Sequence, residues 1–235
     1  MNRQKSKRSS ARSKVETIGK QVNQESKEDS APLRGQTKNQ KAYMAAIDSS
    51  PITLALGPAG TGKTYIATTM ASDMLMNQQI GKILITRPAM EAGERLGFLP
   101  GDIGEKFDPY FAPVREILNR RLGTAYVESL IKSGKITTMP LAYMRGHTFN
   151  NTFMILDEAQ NASPEQVKLF LTRVGTYSKI VISGDISQKD LKSHDGLSDA
   201  MRRLEPFEVA SMVEFTREDV VRSGLAKVIV EAYEN

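Results

Sequence analysis

Residues 57–64 read Gly57-Pro58-Ala59-Gly60-Thr61-Gly62-Lys63-Thr64, matching the spacing G-x-x-x-x-G-K-[ST]. This octet constrains the fold because such a loop works only between a buried strand and a helix N-terminus. Its glycines let successive backbone N–H groups converge on phosphate oxygens, and the helix adds the positive end of its dipole. Both flanks comply. Ile52 to Leu56 is an apolar run, interrupted by Thr53 alone, suited to a buried parallel strand, and beyond Lys63 the residues Ile66, Met70, Ala71 and Met74 recur at helical spacing. In a loop of this kind Lys63 reaches the outer phosphates of a nucleoside triphosphate, and the Thr64 hydroxyl ligates its magnesium. A glycine-rich turn with a stray Lys-Thr would need neither flank.

The chain has 235 residues, enough for one substantial α/β domain and short for two. With no cysteine, structural disulfides, Cys-ligated zinc and iron–sulfur clusters are excluded, which agrees with a reducing cytoplasm. His147 and His194 stand far apart without ligand spacing and read as surface or loop residues. No apolar stretch approaches the roughly 18 residues of a membrane span, and no signal sequence opens the chain. A soluble, cytoplasmic protein without a membrane partner is the expectation.

Charge is unevenly placed. Residues 1–41 hold 11 of the 32 lysines and arginines but four of the 27 acids, leaving the remainder near neutral. Residues 1–35 are rich in Lys, Arg, Ser, Gln and Asn without apolar periodicity, so they cannot bury enough surface to offset the entropy of ordering. They read as a disordered basic tail. Arg3, Lys5, Lys7, Arg8, Arg12 and Lys14 precede the first acid, Glu16, a density suited to nucleic-acid phosphates or, more blandly, to solubility.

From about Lys38 the pattern changes. Tyr43, Ala46 and Ile47 begin a short amphipathic helix, and apolar strands follow at Ile52–Leu56, Ile83–Thr86, Phe153–Leu156, Ile180–Ser183 and Val209–Phe215, with a weaker one at Ile136–Met139. Between them lie helical patterns. Ser163, Pro164 and Gln166 supply an N-cap, an N1 proline and a capping-box partner ahead of Val167, Phe170, Leu171 and Val174. Leu197, Ala200, Met201 and Leu204 repeat the spacing, as do Val221, Leu225, Val228 and Ile229. Alternating strands and helices imply a mostly parallel sheet covered on both faces.

Phosphoryl transfer needs a second carboxylate for the metal and a group that orients the attacking atom. The run Phe153 to Leu156 delivers Asp157 to a strand's carboxyl end, where ligands bind in open α/β sheets. Asp157 would hold magnesium, directly or through water. Glu158 points elsewhere and can activate water for attack on the γ-phosphate, which separates a hydrolase from a nucleotide kinase. The alternative is a solvated turn capping the next helix. After the strand ending at Ser183 comes Gly184-Asp185-Ile186-Ser187-Gln188, in which the Gln188 amide could bond the γ-phosphate or the water.

The order of these elements resembles the first motor domain of superfamily 1 helicases: Gln40 matches their adenine-reading glutamine, Asp157-Glu158-Ala159-Gln160 their magnesium box, and Gly184-Asp185-x-x-Gln188 their sensor. A closer resemblance is to the PhoH family of ATPases. It rests on Arg87-Pro88-Ala89-Met90-Glu91-Ala92-Gly93-Glu94, Leu96-Gly97-Phe98-Leu99-Pro100-Gly101-Asp102, Asp108-Pro109-Tyr110, Pro140 through Gly146, Asn150-Asn151 and Leu171-Thr172-Arg173-Val174-Gly175. The resemblance implies one RecA-like P-loop NTPase domain over 36–235 that binds ATP with Mg2+ and hydrolyses it, with a role in RNA handling. It also points to Arg222, with Arg217 as rival, as a candidate arginine finger, since positive charge near the γ-phosphate stabilises the transition state. After Phe215 about twenty residues remain, so no second motor domain is expected to close over the nucleotide. A ring-like homo-oligomer, six subunits being one option, would let a neighbour supply the arginine. The rival reading is an ATP-gated module that times the release of a protein partner.

Between Arg87 and Arg121 lies the main insertion. Arg87, at a strand's carboxyl end, and Arg145, in a loop before the Asp157 strand, could contact a single-stranded backbone. Phe98, Tyr110 and Phe111 could stack on bases, though core packing suits them better.

Overall fold

The computed structural model describes residues 31–88, 103–185 and 196–221, with side chains from 111 onward in the second of these segments. The basic tail expected over 1–35 lies outside this range up to residue 30. Also outside it are the segment from Ala89 to Asp102, the Tyr110 side chain, Gln188, His194, and everything from Arg222 onward.

Six strands form one sheet: β1 (Ile52–Leu56), β2 (Lys82–Thr86), β3 (Ile136–Thr138), β4 (Thr152–Leu156), β5 (Lys179–Gly184) and β6 (Ala210–Glu214). Their order is β3-β2-β4-β5-β1-β6, and every pairing is parallel. The weak strand expected at Ile136 is real and forms one edge of the sheet. Helices α1 (Lys38–Ser49), α2 (Lys63–Met76), α3 (Ile103–Leu122), α4 (Thr124–Lys132), α5 (Pro164–Leu171) and α6 (Gly196–Leu204) connect them. No helix among the described residues is long and apolar enough to cross a membrane.

The period-two alternation of the strands builds two cores. Ala55, Ile83, Ile85, Phe153, Ile155 and Val181 face one side, where Tyr43 and Ile47 of α1, Ile66 and Ala71 of α2, Phe111 and Leu118 of α3, and Val127 of α4 cover them. Leu54, Leu56, Leu84, Met154, Leu156, Ile180 and Ile182 face the other, under Val167 and Phe170 of α5 and Leu197 and Ala200 of α6. Phe111 therefore packs in the core and is unavailable for stacking on bases. Because both sheet faces are covered, the inner strands carry apolar runs rather than strict alternation, as in Ile83–Ile85, Phe153–Leu156 and Ile180–Ile182.

Local chemistry sets the helix starts. The Ser163 hydroxyl accepts the Gln166 backbone N–H while the Gln166 side chain accepts that of Ser163, with Pro164 in the first turn of α5. Thr37 caps α1 by accepting the Gln40 N–H at 3.1 Å. Phe170, on the sheet-facing side of α5, is fully buried. Phe170→Ala should therefore cost about 3–5 kcal/mol in urea unfolding, whereas a loss under about 1 kcal/mol would mean that this face does not pack as described.

Candidate nucleotide site

All six strands run in one direction, so their carboxyl ends share one edge, and the polar residues that follow them are brought together there. The octet follows β1, Arg87 follows β2, Asp157 and Glu158 follow β4, and Asp185 follows β5. The octet is held from both sides. The Gly57 N–H donates to Gly184 O at 3.1 Å, and the Phe215 N–H donates to Leu56 O at 2.7 Å. Gly57, Gly60 and Gly62 adopt φ of 134°, 83° and 88°, which L side chains avoid. At Gly57 the need is doubled, because a Cβ there would lie 2.3 Å from the Phe215 carbonyl oxygen. Gly57→Ala should therefore lower the melting temperature and weaken nucleotide binding together, as thermal melts and fluorescent-nucleotide titration would report. Unchanged values in both would contradict the loop geometry.

Lys63, at the start of α2, is 9% exposed and donates its ammonium to Gly57 O at 2.6 Å and Pro58 O at 2.8 Å. Burial pushes its pKa down, against the opposing pull of Asp185, Asp157 and Glu158. Thr64 donates its hydroxyl to Asp157 Oδ1 at 2.9 Å. That puts the two groups expected to hold magnesium side by side. Asp157 is 2% exposed, and it has further partners. Ser183 Oγ donates to Oδ1 at 2.7 Å, while Arg87 donates to Oδ2 from Nε at 3.1 Å and from Nη2 at 2.6 Å.

Two of these partners change the reading of the sequence. Arg87, which by its place after a strand could contact a single-stranded backbone, is engaged with Asp157. Ser183 carries no motif of its own, although a polar residue closing the apolar run Ile180-Val181-Ile182 is a usable signal. Gln160 gains a role that its place in the Asp157 box does not disclose. Its Nε2 donates to Glu158 Oε2 at 2.7 Å and its Oε1 accepts the Asp185 N–H at 3.0 Å, so one amide ties the ends of β4 and β5 and holds the Glu158 carboxylate. Glu158 takes a left-handed backbone, φ 56°, which turns the chain immediately after the Asp157 strand. Its exposed side chain lines a cavity of about 350 Å³ together with Gly60, Lys63, Thr64, Arg87 and Asp157.

The α1 end closes against the same loop. Gln40 is buried; its Nε2 donates to Thr61 O at 3.0 Å and its Oε1 accepts the Gln36 N–H at 2.7 Å. Beside it, Asn39 Nδ2 donates to Asp219 Oδ2 at 2.8 Å. Burial alone would raise the Asp219 pKa, but hydrogen bonds from the Thr216 backbone and from Thr37, Asn39 and Thr216 outweigh it, and the net shift is downward. Two residues on, the Val221 N–H donates to Gly60 O at 3.1 Å, so the chain leading to Arg222 touches the tip of the octet. Arg217 lies exposed in the short turn Arg217–Asp219. Arg145 and His147 are exposed and do not line this cavity, and the His147 ring is stacked on Phe149 at 5.9 Å.

A paired hydroxyl and carboxylate are hard oxygen donors of the kind magnesium takes when substrate phosphates and water complete its shell. Thr64 and Asp157 fit that requirement, and no cluster of three or more His, Cys, Asp or Glu suited to a metal occurs among the described residues.

The PhoH-like protein family profile matches residues 32–234. A PhoH-like protein of Bacillus subtilis (strain 168) is 48% identical over 204 residues, covering 86% of this chain and 64% of the relative. A PhoH-like protein of Mycobacterium bovis is 48% identical over 203 residues, covering 86% of this chain and 58% of the relative. The chain thus spans about three fifths of the length of these curated relatives. Among solved structures, the large terminase of a thermophilic bacteriophage superposes with a TM-score of 0.52 at 13% identity, over 86% of this chain and 50% of that one, a likeness of fold.

Proposed function

The chain belongs to the PhoH-like protein family, and on that premise we propose that it binds ATP with Mg2+ and hydrolyses it, as an oligomeric ATPase coupled to single-stranded RNA. One observation carries the hydrolytic part: Asp157 and Glu158 at the end of β4 share a cavity with Lys63 and Thr64, with Glu158 held by Gln160.

Each residue then has a task. The octet backbone from Gly57 through Gly62 cradles the phosphates. Lys63 exchanges its bonds to Gly57 and Pro58 carbonyls for outer phosphate oxygens. Thr64 and Asp157 would hold magnesium, which neutralises charge on the phosphates when bound. Glu158 accepts a proton from the attacking water as its oxygen bonds to the γ-phosphorus. The bond from that phosphorus to the β–γ bridging oxygen breaks, giving ADP and inorganic phosphate. Gln40 keeps one N–H and one lone pair beyond its bonds to Thr61 and Gln36, enough to read a base edge. Gln188 would sense the γ-phosphate. Arg222 would act on a neighbouring subunit's site, within a ring.

The basic surplus of residues 1–41 supports the nucleic-acid part through phosphate contact. The test is phosphate release from ATP with and without single-stranded RNA or DNA, alongside the molecular mass in solution. RNA should raise the rate, DNA should raise it less, and the mass should be a multiple of the chain. No stimulation by either polymer would remove the nucleic-acid coupling and favour a protein partner, and a monomeric mass would remove the ring.

A further inference from the structure

Asp157 is saturated with donors. A carboxylate offers about four lone-pair sites, and here Thr64 and Ser183 fill those of Oδ1 while two nitrogens of Arg87 fill those of Oδ2. The carboxylate is almost wholly buried, so water can do little to loosen these bonds. A metal ion reaching Asp157 must displace some of them, and the three donors differ in how they can respond. The hydroxyls of Thr64 and Ser183 can rotate and present a lone pair to a cation. Arg87 cannot, because its guanidinium has no acceptor and stays charged. It must leave Oδ2 or lie within a few ångströms of a divalent ion in a poorly solvated cleft, where like charges repel strongly.

The cavity supplies a destination. Arg87 lines the same space as Gly60, Lys63 and Thr64, so a guanidinium released from Asp157 faces the region where the octet would hold phosphates. There it could form charge-assisted, bidentate bonds to phosphate oxygens. We propose that Arg87 and the divalent cation compete for Asp157, so that the site resists free metal and admits it together with a triphosphate that takes over the guanidinium. This rests on the assignment of Thr64 and Asp157 to the metal. It assigns Arg87 as a positioning residue that acts on metal loading through Asp157.

The test is a titration of the full chain with Mn2+ alone, without nucleotide, read as loss of the free-ion signal in electron paramagnetic resonance. Arg87→Gln should lower the half-saturating Mn2+ concentration about tenfold, since a like charge beside the ion has been removed. Arg87→Lys keeps the charge but loses the fork, so it should fall between the two and serves where Arg87→Gln does not fold. In parallel, the affinity for metal-free ATP in EDTA, followed by a fluorescent analogue, should weaken in Arg87→Gln. If Asp157→Asn loses Mn2+ binding while Arg87→Gln and Arg87→Lys titrate as the native chain does, competition is overturned and the metal assignment stands. If Asp157→Asn binds Mn2+ unchanged, both fall.

Discussion

Glu158→Gln is expected to bind ATP and Mg2+ as the native chain does while its turnover falls about 10²–10⁴-fold, the usual contribution of a positioned general base. The substitution keeps size and backbone while replacing the carboxylate by a neutral amide that cannot take a proton. Glu158 is exposed, carries no core packing, and meets Gln160 through a single side-chain bond, so folding should be indifferent to the change. A fluorescent-nucleotide titration and a phosphate-release assay on the same preparation separate binding from chemistry. Turnover within a few-fold of the native rate would remove Glu158 as the base. An equally large fall in affinity would mean that Glu158 acts in binding instead.

Lys63→Ala should produce the other large effect, on affinity. Truncating one side of a buried, charge-assisted contact costs about 2–5 kcal/mol, or at least about thirtyfold in the dissociation constant for ATP. Thermal stability should change less, because Lys63 sits outside both apolar cores and itself lines the cavity, so water can fill the space its ammonium leaves beside the carbonyls of Gly57 and Pro58. Calorimetric titration with ATP and Mg2+ would read this directly. Affinity within about threefold of the native value would contradict the placement of the phosphates at this lysine.

Much of this site is legible in the sequence because each half is local. The apolar run before Gly57 and the helical spacing after Lys63 fix the loop between strand and helix, and Phe153 to Leu156 fixes Asp157 at a strand end. The Ser163 capping box is equally readable, since its partners lie three residues apart. What a local reading misses are contacts that only the sheet order creates. Arg87 meets Asp157 across 70 residues because β2 and β4 are neighbours, and Ser183 meets it across 26 because β5 lies beside β4. Asn39 meets Asp219 across 180 residues because β6 returns beside β1, under the start of α1. No local pattern encodes those partners. An arginine after a strand reads equally well as a nucleic-acid contact until its neighbour is known.

The most direct measurement of the central claim is the release of inorganic phosphate from ATP by the native chain with Mg2+, run beside Lys63→Ala and Glu158→Gln. Sustained release by the native chain, with both variants reduced to near background, is the result that a single hydrolytic site at Lys63, Thr64, Asp157 and Glu158 predicts. Release that persists in both variants, or none from the native chain with or without RNA, would contradict it.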